Sequence, residues 1–339
     1  AGPNRMNRVT VRRAAHGLAR YLLTTCPDAP TRGVVIGFDA RHGSREFAVD
    51  SARVFAAAGI RALVLPGPTA TPVCSWAITE LGAAAGVMVT ASHNPAGDNG
   101  YKVYLGDGAQ IVPPSDAEIS ALIDAAPLDV TLASIDDPAI EQLSPMLVGG
   151  YVAWAASVRH RPEITGVRVA STALHGVGGD LLRRALKAAG FPEPIVVAEP
   201  QETDPDFPTI SRPNPEEPGA MDRVVALAVE HGAAIALATD PDADRLGVAI
   251  PTRAGDWRRL TGDEIGWLLA EHALTHTAGD DRLVVTTLVS SSMLERIAAH
   301  HGVHHLETFT GFKWIARAIL DHPEWRFVFG YEQALGYLV

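Results

Sequence analysis

The sequence predicts an α/β protein built from serial domains, in which mixed, mostly parallel sheets are covered by helices. Short apolar runs, rich in small and β-branched residues, alternate with amphipathic stretches of helical period. This rhythm repeats in three blocks along the 339 residues. Because strands that alternate with helices pair in parallel and are buried on both faces, each block predicts one α/β domain.

The first block contains buried strands separated by helices. The predicted strands are residues 33–38, 62–66 and 86–90, and the predicted helices are residues 44–58 and 72–81. The second block repeats this order. Its predicted strands are residues 166–171, 195–199 and 234–238, and its predicted helices are residues 180–189 and 219–231.

The third block has the same alternation. Its predicted helices are residues 262–272, 291–300 and 312–320, and its predicted strands are residues 282–288 and 326–329. The blocks are joined by a helix at residues 146–158 and by a turn at residues 251–257. A proline-rich stretch at residues 203–218 predicts a long loop, and loops of that length in compact domains are often functional.

Composition narrows the classes of partner. The chain carries 28 basic and 39 acidic residues, a net charge of −11, which argues against nucleic-acid binding. The apolar runs are interrupted well before the roughly 18 residues that a membrane span needs, and we find no signal peptide. Cys26 and Cys74 have no metal-ligand spacing, so we expect reduced thiols in a cytoplasmic protein.

A serine-containing loop follows the strand at residues 86–90. It reads TASHNP at residues 90–95, with DNGYK at residues 98–102. Ser92 lies at the carboxyl end of a strand, where α/β sheets bind ligands, but a serine nucleophile needs activation. His93 is adjacent in sequence and poorly placed as its base, and no GxSxG elbow supports a hydrolase. On this loop alone, an ordinary exposed turn remains the alternative.

Three carboxylates follow the strand at residues 234–238. Asp240, Asp242 and Asp244 alternate along one loop, and oxygen-only ligands favour Mg²⁺ or Ca²⁺ over Zn²⁺. A solvated acidic turn is the alternative reading. An EF-hand is excluded because Arg245 and Pro251 stand where that loop needs Gly and Glu. Since adjacent carboxylates repel without a cation, we predict a metal site, with Mg²⁺ preferred.

Two further glycine-containing loops follow in the third block. Gly311 lets the backbone approach a ligand closely, and Lys313 supplies a point charge suited to phosphate. Glu332 lies in a glycine-rich turn, where a carboxylate can bind sugar hydroxyls. Each feature alone is common in ordinary loops. Because all of these loops follow strands in successive blocks, we predict that they meet in one interdomain cleft.

Together these motifs resemble the α-D-phosphohexomutase superfamily, the phosphoglucomutases and phosphomannomutases. TASHNP with NGYK, DPDADR, TGFKW and GYEQALGY occur in that family's order and spacing over essentially the whole chain. The last three look closest to the branch with phosphopentomutase-like and glucose-bisphosphate-forming members.

The resemblance implies four domains around a cleft, of which this chain holds three. Residues 1–147 would be the phosphoserine domain without its first strand, residues 148–254 the magnesium-binding domain, and residues 255–339 a truncated sugar-binding domain. The motif GPNRMN at residues 2–7 normally follows that first strand. We therefore expect a fragment that lacks the phosphate-binding fourth domain.

The resemblance also implies roles for individual residues. Ser92 becomes the phosphoserine and a metal ligand beside Asp240, Asp242 and Asp244, which hold Mg²⁺. Lys102 resembles the residue that serves the family as a general acid/base, and we expect the pKa of Lys102 to be lowered. His93 lines the same centre. The implied substrate contacts are Arg245, Lys313, Gly311, Glu332 and Arg41. The segment HGVG at residues 175–178 also matches, without a clear role.

The implied enzyme is an isomerase that interconverts the 1-phosphate and 6-phosphate of glucose or mannose. It would use Mg²⁺, a sugar 1,6-bisphosphate activator and a small-molecule sugar phosphate, as a monomer or dimer. Ala334 stands where many hexomutases have serine, which keeps phosphopentomutase and glucose 1,6-bisphosphate synthase as alternatives. An aspartate-nucleophile phosphatase and a non-catalytic sugar-phosphate-binding module are the alternatives from other classes.

Overall fold

A computed structural model describes residues 5–339 of the chain, and these residues form three sheets flanked by helices. The predicted α/β class with mostly parallel, helix-covered sheets is confirmed. Residues 1–4, which include the start of the GPNRMN motif, lie outside the described residues. Among the described helices, none combines the length and the apolarity that crossing a bilayer requires.

The first sheet has the strand order β4-β3-β1-β2-β5. All of its pairings are parallel except β3 with β4. The elements of this part are α1 (Arg8–Thr25), α2 (Ala29–Arg32), β1 (Val34–Phe38), α3 (Ser44–Ala57), β2 (Ala62–Val64), α4 (Thr71–Glu80), β3 (Ala85–Val89), β4 (Tyr101–Leu105), α5 (Ser115–Asp124), β5 (Ile140–Gln142) and α6 (Met146–Ser157).

The second sheet has the strand order β10-β9-β8-β6-β7. The pairings of β6 are parallel, and those of β9 are antiparallel. Its elements are β6 (Val169–Thr172), α7 (Gly178–Ala188), β7 (Ile195–Val196), a 3₁₀ turn (Glu199–Gln201), α8 (Asp222–His231), β8 (Ile235–Thr239), β9 (Leu246–Pro251) and β10 (Trp257–Arg259).

The third sheet has the strand order β12-β11-β13-β14, with only β13 and β14 antiparallel among the described pairs. Its elements are α9 (Gly262–Thr275), β11 (Arg282–Thr287), α10 (Met293–His301), β12 (His304–Thr308), α11 (Phe312–Asp321), β13 (Arg326–Glu332) and β14 (Gly336–Leu338).

Edge strands account for most differences from the prediction. β4 and β10 pair antiparallel at sheet edges and carry polar residues, so neither forms the apolar run that predicts a buried strand. The turn at residues 251–257 lies inside the β9–β10 hairpin of the second sheet. The predicted boundary at 254/255 therefore falls within that hairpin, and the one at 147/148 falls within α6.

The central strands run out of the core, and their carboxyl ends lie at one side of each sheet. β1 and β3 are buried along their whole length, and the first core forms between them, α1 and α3. The loops that follow β1, β3 and β8 begin at buried polar residues, namely Asp39, Thr90 and Asp240. Buried polar side chains at the carboxyl ends of strands indicate a functional site, because each of them must find a hydrogen-bond partner there.

Candidate active site

The serine loop leaves β3 in a strained conformation. Ser92 has φ +50°, in the left-handed region that costs a non-glycine residue roughly 1–3 kcal/mol. Its backbone N–H donates to Thr90 Oγ1 at 2.9 Å. The resulting turn directs Ser92 Oγ to Asp240 Oδ2, 2.7 Å away, and Asp244 Oδ1 lies at 3.5 Å. Strain that the surrounding structure maintains is typical of residues that perform chemistry.

Arg41 lies beneath this loop. Its guanidinium donates to the carbonyl oxygens of Ser92 at 2.5 Å, Asn94 at 2.6 Å and Pro95 at 2.7 Å. Asp39 lies 3.2 Å from Arg41 Nε, and both side chains are 1% exposed. This arrangement differs from the predicted substrate contact, because a buried guanidinium offers no surface to a sugar. Arg41 instead holds the loop that carries Ser92.

The aspartate loop follows β8 and brings its carboxylates together. Ligand oxygens of Asp240, Asp242 and Asp244 lie within 4.8 Å of one another. Asp240 Oδ1 accepts the backbone N–H groups of Asp244 and Arg245, both at 3.1 Å. Asp240 and Asp242 are fully buried. Burial and the neighbouring carboxylates raise the pKa of Asp240 well above its ordinary value.

Lys102 projects from β4 onto the same carboxylates. Its Nζ lies 2.8 Å from Asp242 Oδ2 and 2.7 Å from Asp244 Oδ2. Burial alone would lower the pKa of Lys102, but these two carboxylates hold it well above its usual value. The predicted lowered pKa is therefore wrong for this arrangement, since Lys102 faces anions rather than cations. Burial by itself would raise the pKa of Asp242. The Lys102 ammonium outweighs this effect, so the pKa of Asp242 is lowered and its carboxyl stays ionised.

The donor set fits a hard divalent cation. Asp242 Oδ1 is buried and has no hydrogen-bond partner among the described residues, so one lone pair remains available to a metal. The three carboxylates and Ser92 Oγ supply only oxygen, which Mg²⁺ prefers. The Lys102 ammonium compensates part of the same negative charge.

His93 stands beside the nucleophile candidate. Its Nδ1 lies 3.3 Å from Ser92 Oγ, at the long end of hydrogen-bond distance. Burial and then the Arg245 guanidinium lower the pKa of His93. The ring is therefore held neutral, and it lies beside Ser92, where the resemblance predicts it.

The segment at residues 175–178 supports the aspartate loop, a role that the sequence left undefined. A Cβ on Gly176 would lie 2.3 Å from Pro241 Cα, so only glycine fits against that backbone. The N–H of Val177 donates to the Pro241 carbonyl at 2.8 Å. A Cβ on Gly178 would meet Thr239 Oγ1 at 2.6 Å. The close packing explains why small residues open α7.

Thr71 also belongs to the site, although no motif marks it. From the start of α4 its Oγ1 donates to Asp242 Oδ2 at 2.6 Å. Its backbone N–H donates to the Asp242 carbonyl at 2.9 Å. These bonds join the first sheet's domain to the aspartate loop.

Arg245 connects the aspartate loop to the third sheet. Its Nη1 donates to the Ala334 carbonyl at 2.7 Å, and its Nη2 lies 3.9 Å from Glu332 Oε1. Glu332 ends β13 and is 4% exposed. Burial raises the pKa of Glu332, while Arg245 opposes this shift. The turn that follows is tight, with Leu335 at φ +63°.

Lys313 faces the serine loop across a cavity. Ser92, His93, Lys102 and Lys313 are among the residues that line this space of about 480 Å³. Gly311 immediately precedes α11, the helix that carries Lys313, and has φ +116°, a conformation that favours glycine. The structure thus brings the predicted residues of three successive sheets around one centre. Gly311 supports the position of Lys313 through the backbone.

Comparison with known proteins gives three consecutive domain matches. Residues 1–128, 151–255 and 261–339 match domains I, II and III of the phosphoglucomutase/phosphomannomutase alpha/beta/alpha type. In solved structures, the chain superposes on a phosphomannomutase-like protein from Thermus thermophilus with a TM-score of 0.81. That protein is 27% identical, and the match covers 99% of this chain and 72% of the other.

Curated relatives carry several substrate names. A "Probable phosphomannomutase" of Haemophilus influenzae is 43% identical over 98% of this chain and 67% of its own. A "Probable phosphoribomutase" of Schizosaccharomyces pombe is 41% identical over 100% and 60%, respectively. The "Phosphopentomutase" of Homo sapiens is 37% identical over 99% and 59%. The chain thus spans about three fifths to two thirds of the length of these relatives.

Proposed function

The chain belongs to the phosphoglucomutase/phosphomannomutase family, and on that premise we propose that it is the catalytic part of a phosphosugar mutase. The proposed reaction interconverts the 1-phosphate and 6-phosphate of glucose or mannose. The carrying observation is the strained Ser92, whose Oγ lies 2.7 Å from a carboxylate of the aspartate triad. A hydroxyl fixed there suits repeated gain and loss of a phosphoryl group.

In the proposed cycle, phosphorylated Ser92 donates its phosphoryl group to the free hydroxyl of a sugar monophosphate. The sugar oxygen–phosphorus bond forms as the bond to Ser92 Oγ breaks, which yields a sugar bisphosphate, and the proton that the sugar hydroxyl loses replaces the one that Lys102 gives to Ser92 Oγ. Transfer of the other phosphate back to Ser92 releases the isomeric monophosphate. A sugar 1,6-bisphosphate therefore also primes the enzyme, which is why we propose it as activator.

Lys102 and His93 have distinct proposed tasks. The Nζ ammonium of Lys102 holds a proton for Ser92 Oγ when that atom becomes the leaving group. Its high pKa keeps Lys102 protonated, so a proton is present for this direction, and the reverse transfer restores it. Neutral His93 borders the serine without adding charge.

The aspartate triad is the proposed metal site. Asp240, Asp242, Asp244 and an oxygen of phosphorylated Ser92 would hold Mg²⁺, which when bound neutralises negative charge on the phosphoryl group. Backbone N–H groups and Thr71 keep the carboxylates oriented before the substrate arrives. Positioning of this kind, together with electrostatic stabilisation, accounts for nearly all of the catalysis in phosphoryl transfer.

The third domain supplies the proposed sugar contacts. Glu332 would accept hydrogen bonds from sugar hydroxyls, and Arg245 would keep it oriented. Lys313, held by the turn at Gly311, would bind a substrate phosphate across the cavity. Arg41, which the sequence placed among the substrate ligands, acts instead on the serine loop.

A pentose phosphate is the second candidate substrate. Two of the relatives described above carry phosphoribomutase or phosphopentomutase names, and Ala334 lacks the hydroxyl expected for hexose binding. The ratio of kcat/KM for ribose 1-phosphate and glucose 1-phosphate separates the two. A ratio above one favours the pentose reading.

The first test is direct phosphorylation of the intact gene product. We would incubate it with Mg²⁺ and glucose 1,6-bisphosphate and locate phosphate by peptide mass spectrometry. Phosphate on the Ser92 peptide, absent from Ser92→Ala, is the expected result. Phosphate on Asp240 that survives Ser92→Ala would replace the mutase with an aspartate phosphatase. Folded protein that binds sugar phosphate without ever becoming phosphorylated would be a binding module.

A further inference from the structure

The serine loop is held from below by one buried side chain. Arg41 donates to the carbonyls of Ser92, Asn94 and Pro95 along that loop, and the Asp98 carbonyl lies at 3.4 Å. A guanidinium presents several donors in one rigid plane, so a single orientation satisfies all these acceptors. The conformation of Ser92 thus depends on where Arg41 lies.

A residue of the second domain covers the same guanidinium. The ring of Phe207 lies 4.9 Å from Arg41 Cζ, within the range of a cation–π contact. Phe207 is 4% exposed and has φ +47°, an uncommon backbone conformation for an aromatic residue. It belongs to the proline-rich stretch at residues 203–218, for which the sequence predicted a long loop.

The backbone around Phe207 is itself anchored. Its N–H donates to the Asp204 carbonyl at 3.2 Å, and the N–H of Asp204 donates to the His175 carbonyl at 3.1 Å. His175 immediately precedes Gly176, which packs under the aspartate loop. Beside Phe207, Asp206 Oδ1 lies 2.9 Å from His42 Nε2 in the first domain. Residues 204–207 of the second domain therefore contact both Arg41 and the segment at residues 175–178 that supports the aspartate loop.

We infer that Arg41 and Phe207 form an interdomain positioning pair. Phe207 holds the Arg41 guanidinium on the carbonyls of the serine loop, and this contact aligns Ser92 with the aspartate triad of the second domain. The catalytic part of this inference rests on the proposed function, whereas the loop-holding part does not. Both residues are 4% exposed, so we assign them an action through Ser92 rather than on a ligand in the cleft.

The matched experiment compares two phenylalanines of the second domain. Phe191 lies 4.5 Å from Arg159 Cζ, also as a cation–π pair, but neither residue contacts the serine loop in the hydrogen-bond network of residues 5–339. Phe207→Ala and Phe207→Leu test the pair, Phe207→Tyr retains an aromatic face, and Phe191→Ala is the control. Phe207→Leu preserves apolar volume if the alanine variant fails to fold.

The first readout does not require activity. Hydrogen–deuterium exchange of the peptide spanning Ser92 to Asp98 should be faster in Phe207→Leu and in Arg41→Lys than in wild type. Exchange should stay unchanged in Phe191→Ala and return toward wild type in Phe207→Tyr. Unchanged exchange in a folded Phe207→Leu protein, or equal acceleration in Phe191→Ala, would overturn the inference.

The second readout is kinetic and uses the full-length gene product with Mg²⁺. We expect kcat and the rate of Ser92 phosphorylation to fall in Phe207→Leu, by up to about 10²-fold, because small misplacements of reacting groups are costly. KM for the sugar phosphate should change by less than about twofold, since substrate contacts remain. Wild-type kcat with faster loop exchange would refute the alignment role. A wild-type protein that never phosphorylates Ser92 would instead refute the proposed function, and the exchange result would still stand.

Discussion

Individual side chains at the centre owe their charge to their neighbours. Lys102 contacts Asp242 and Asp244 within 2.8 Å, and its ammonium compensates part of the charge of these two carboxylates, whose side chains are 0% and 13% exposed. Asp240 has no such cation within ion-pair distance among residues 5–339, so burial and its neighbours favour its protonated form. The three aspartates, identical in type, therefore differ in the direction of their pKa shift because of position alone, with the pKa raised for Asp240 and Asp244 and lowered for Asp242.

Removal of the Lys102 charge should destabilise the metal-free protein. We expect Lys102→Met to lower the free energy of unfolding by about 3 kcal/mol, because it leaves buried carboxylates without their cation. Urea unfolding in the presence of a chelator measures the change. Added Mg²⁺ should recover more stability in this variant than in wild type.

Lys313→Met is the matched control for that measurement. Lys313 lines the same cavity but lies over the Trp314 ring, 5.5 Å from its centroid, without a carboxylate partner in the ion pairs of the described residues. Its replacement should change stability by no more than about 0.5 kcal/mol. Equal destabilisation by the two substitutions would contradict the assigned role of Lys102.

At the scale of elements, helix α1 is attached to α3 by a buried carboxylate. Asp50 on α3 is fully buried, and Arg8 and Arg12 on α1 approach it at 2.7 and 2.9 Å. Burial alone would raise the pKa of Asp50, but the hydrogen bonds from the two arginines hold it below its usual value. The pair of helices covers the first sheet, whose strand ends position the serine loop.

The Asp50 contact predicts a pH-dependent contribution to stability. The folded-state pKa lies below the unfolded value of about 3.9, so the contribution is complete above that pH and disappears as the pH falls through the folded value. We expect Asp50→Asn to lower the free energy of unfolding by about 2 kcal/mol at neutral pH. The difference from wild type should vanish in acid.

Glu141→Gln provides the comparison for Asp50. The Arg61–Glu141 pair has a similar distance of 2.7 Å, but both side chains are half-exposed. Its removal should cost less than about 1 kcal/mol at neutral pH. A pH-independent loss in Asp50→Asn, measured by urea unfolding across the acid range, would refute the electrostatic account.

The turn before α7 predicts a second effect at the element scale. In Gly176→Ala the new Cβ would displace the backbone of Pro241, and the aspartate loop would move with it. We expect Mg²⁺ affinity to fall about tenfold or more, as for other residues that support metal ligands. Titration calorimetry of chelator-treated protein measures it. Gly166→Ala, with open space around its Cβ position, should bind Mg²⁺ like wild type.

At the scale of the whole molecule, hydrogen bonds and ion pairs between the first and second domains bring the loops together. Ser92 bonds to Asp240, and Thr71 bonds to Asp242, so the first domain touches the aspartate loop at both of its buried carboxylates. Arg245 continues the connection to the third domain through Ala334. The centre is therefore a product of domain packing, and its order depends on these interdomain bonds.

The interdomain bonds predict coupled unfolding. We expect Thr71→Val to cost about 2 kcal/mol, because Asp242 loses a hydrogen bond in a buried environment. In calorimetry, Mg²⁺ should raise the unfolding temperatures of the first and second domains together in wild type. In this variant the two temperatures should rise less uniformly. Thr24→Val, which removes an exposed hydroxyl bonded only within α1, should behave as wild type. A Thr71→Val profile superimposable on wild type would refute the coupling.

Local sequence chemistry was enough to identify the α/β class and the chemical type of each loop. Apolar runs such as those at β1 and β3 predict buried strands, because burial on both faces demands apolar residues throughout. Ser92 and the alternating aspartates carry their chemistry in their residue types. Edge strands such as β10 were not predicted, because a strand with one exposed face tolerates charged residues such as Arg258 and Arg259 and so shows no apolar run.

Only the tertiary structure decided how these parts act on one another. Ser92 and Asp240 are 148 positions apart, and no local pattern sets the 2.7 Å distance between their oxygens. The high pKa of Lys102, the burial of Arg41 and the contact of Phe207 with it likewise arise where domains meet. Charge, burial and alignment depend on neighbours in space, whereas the sequence specifies directly only the neighbours along the chain.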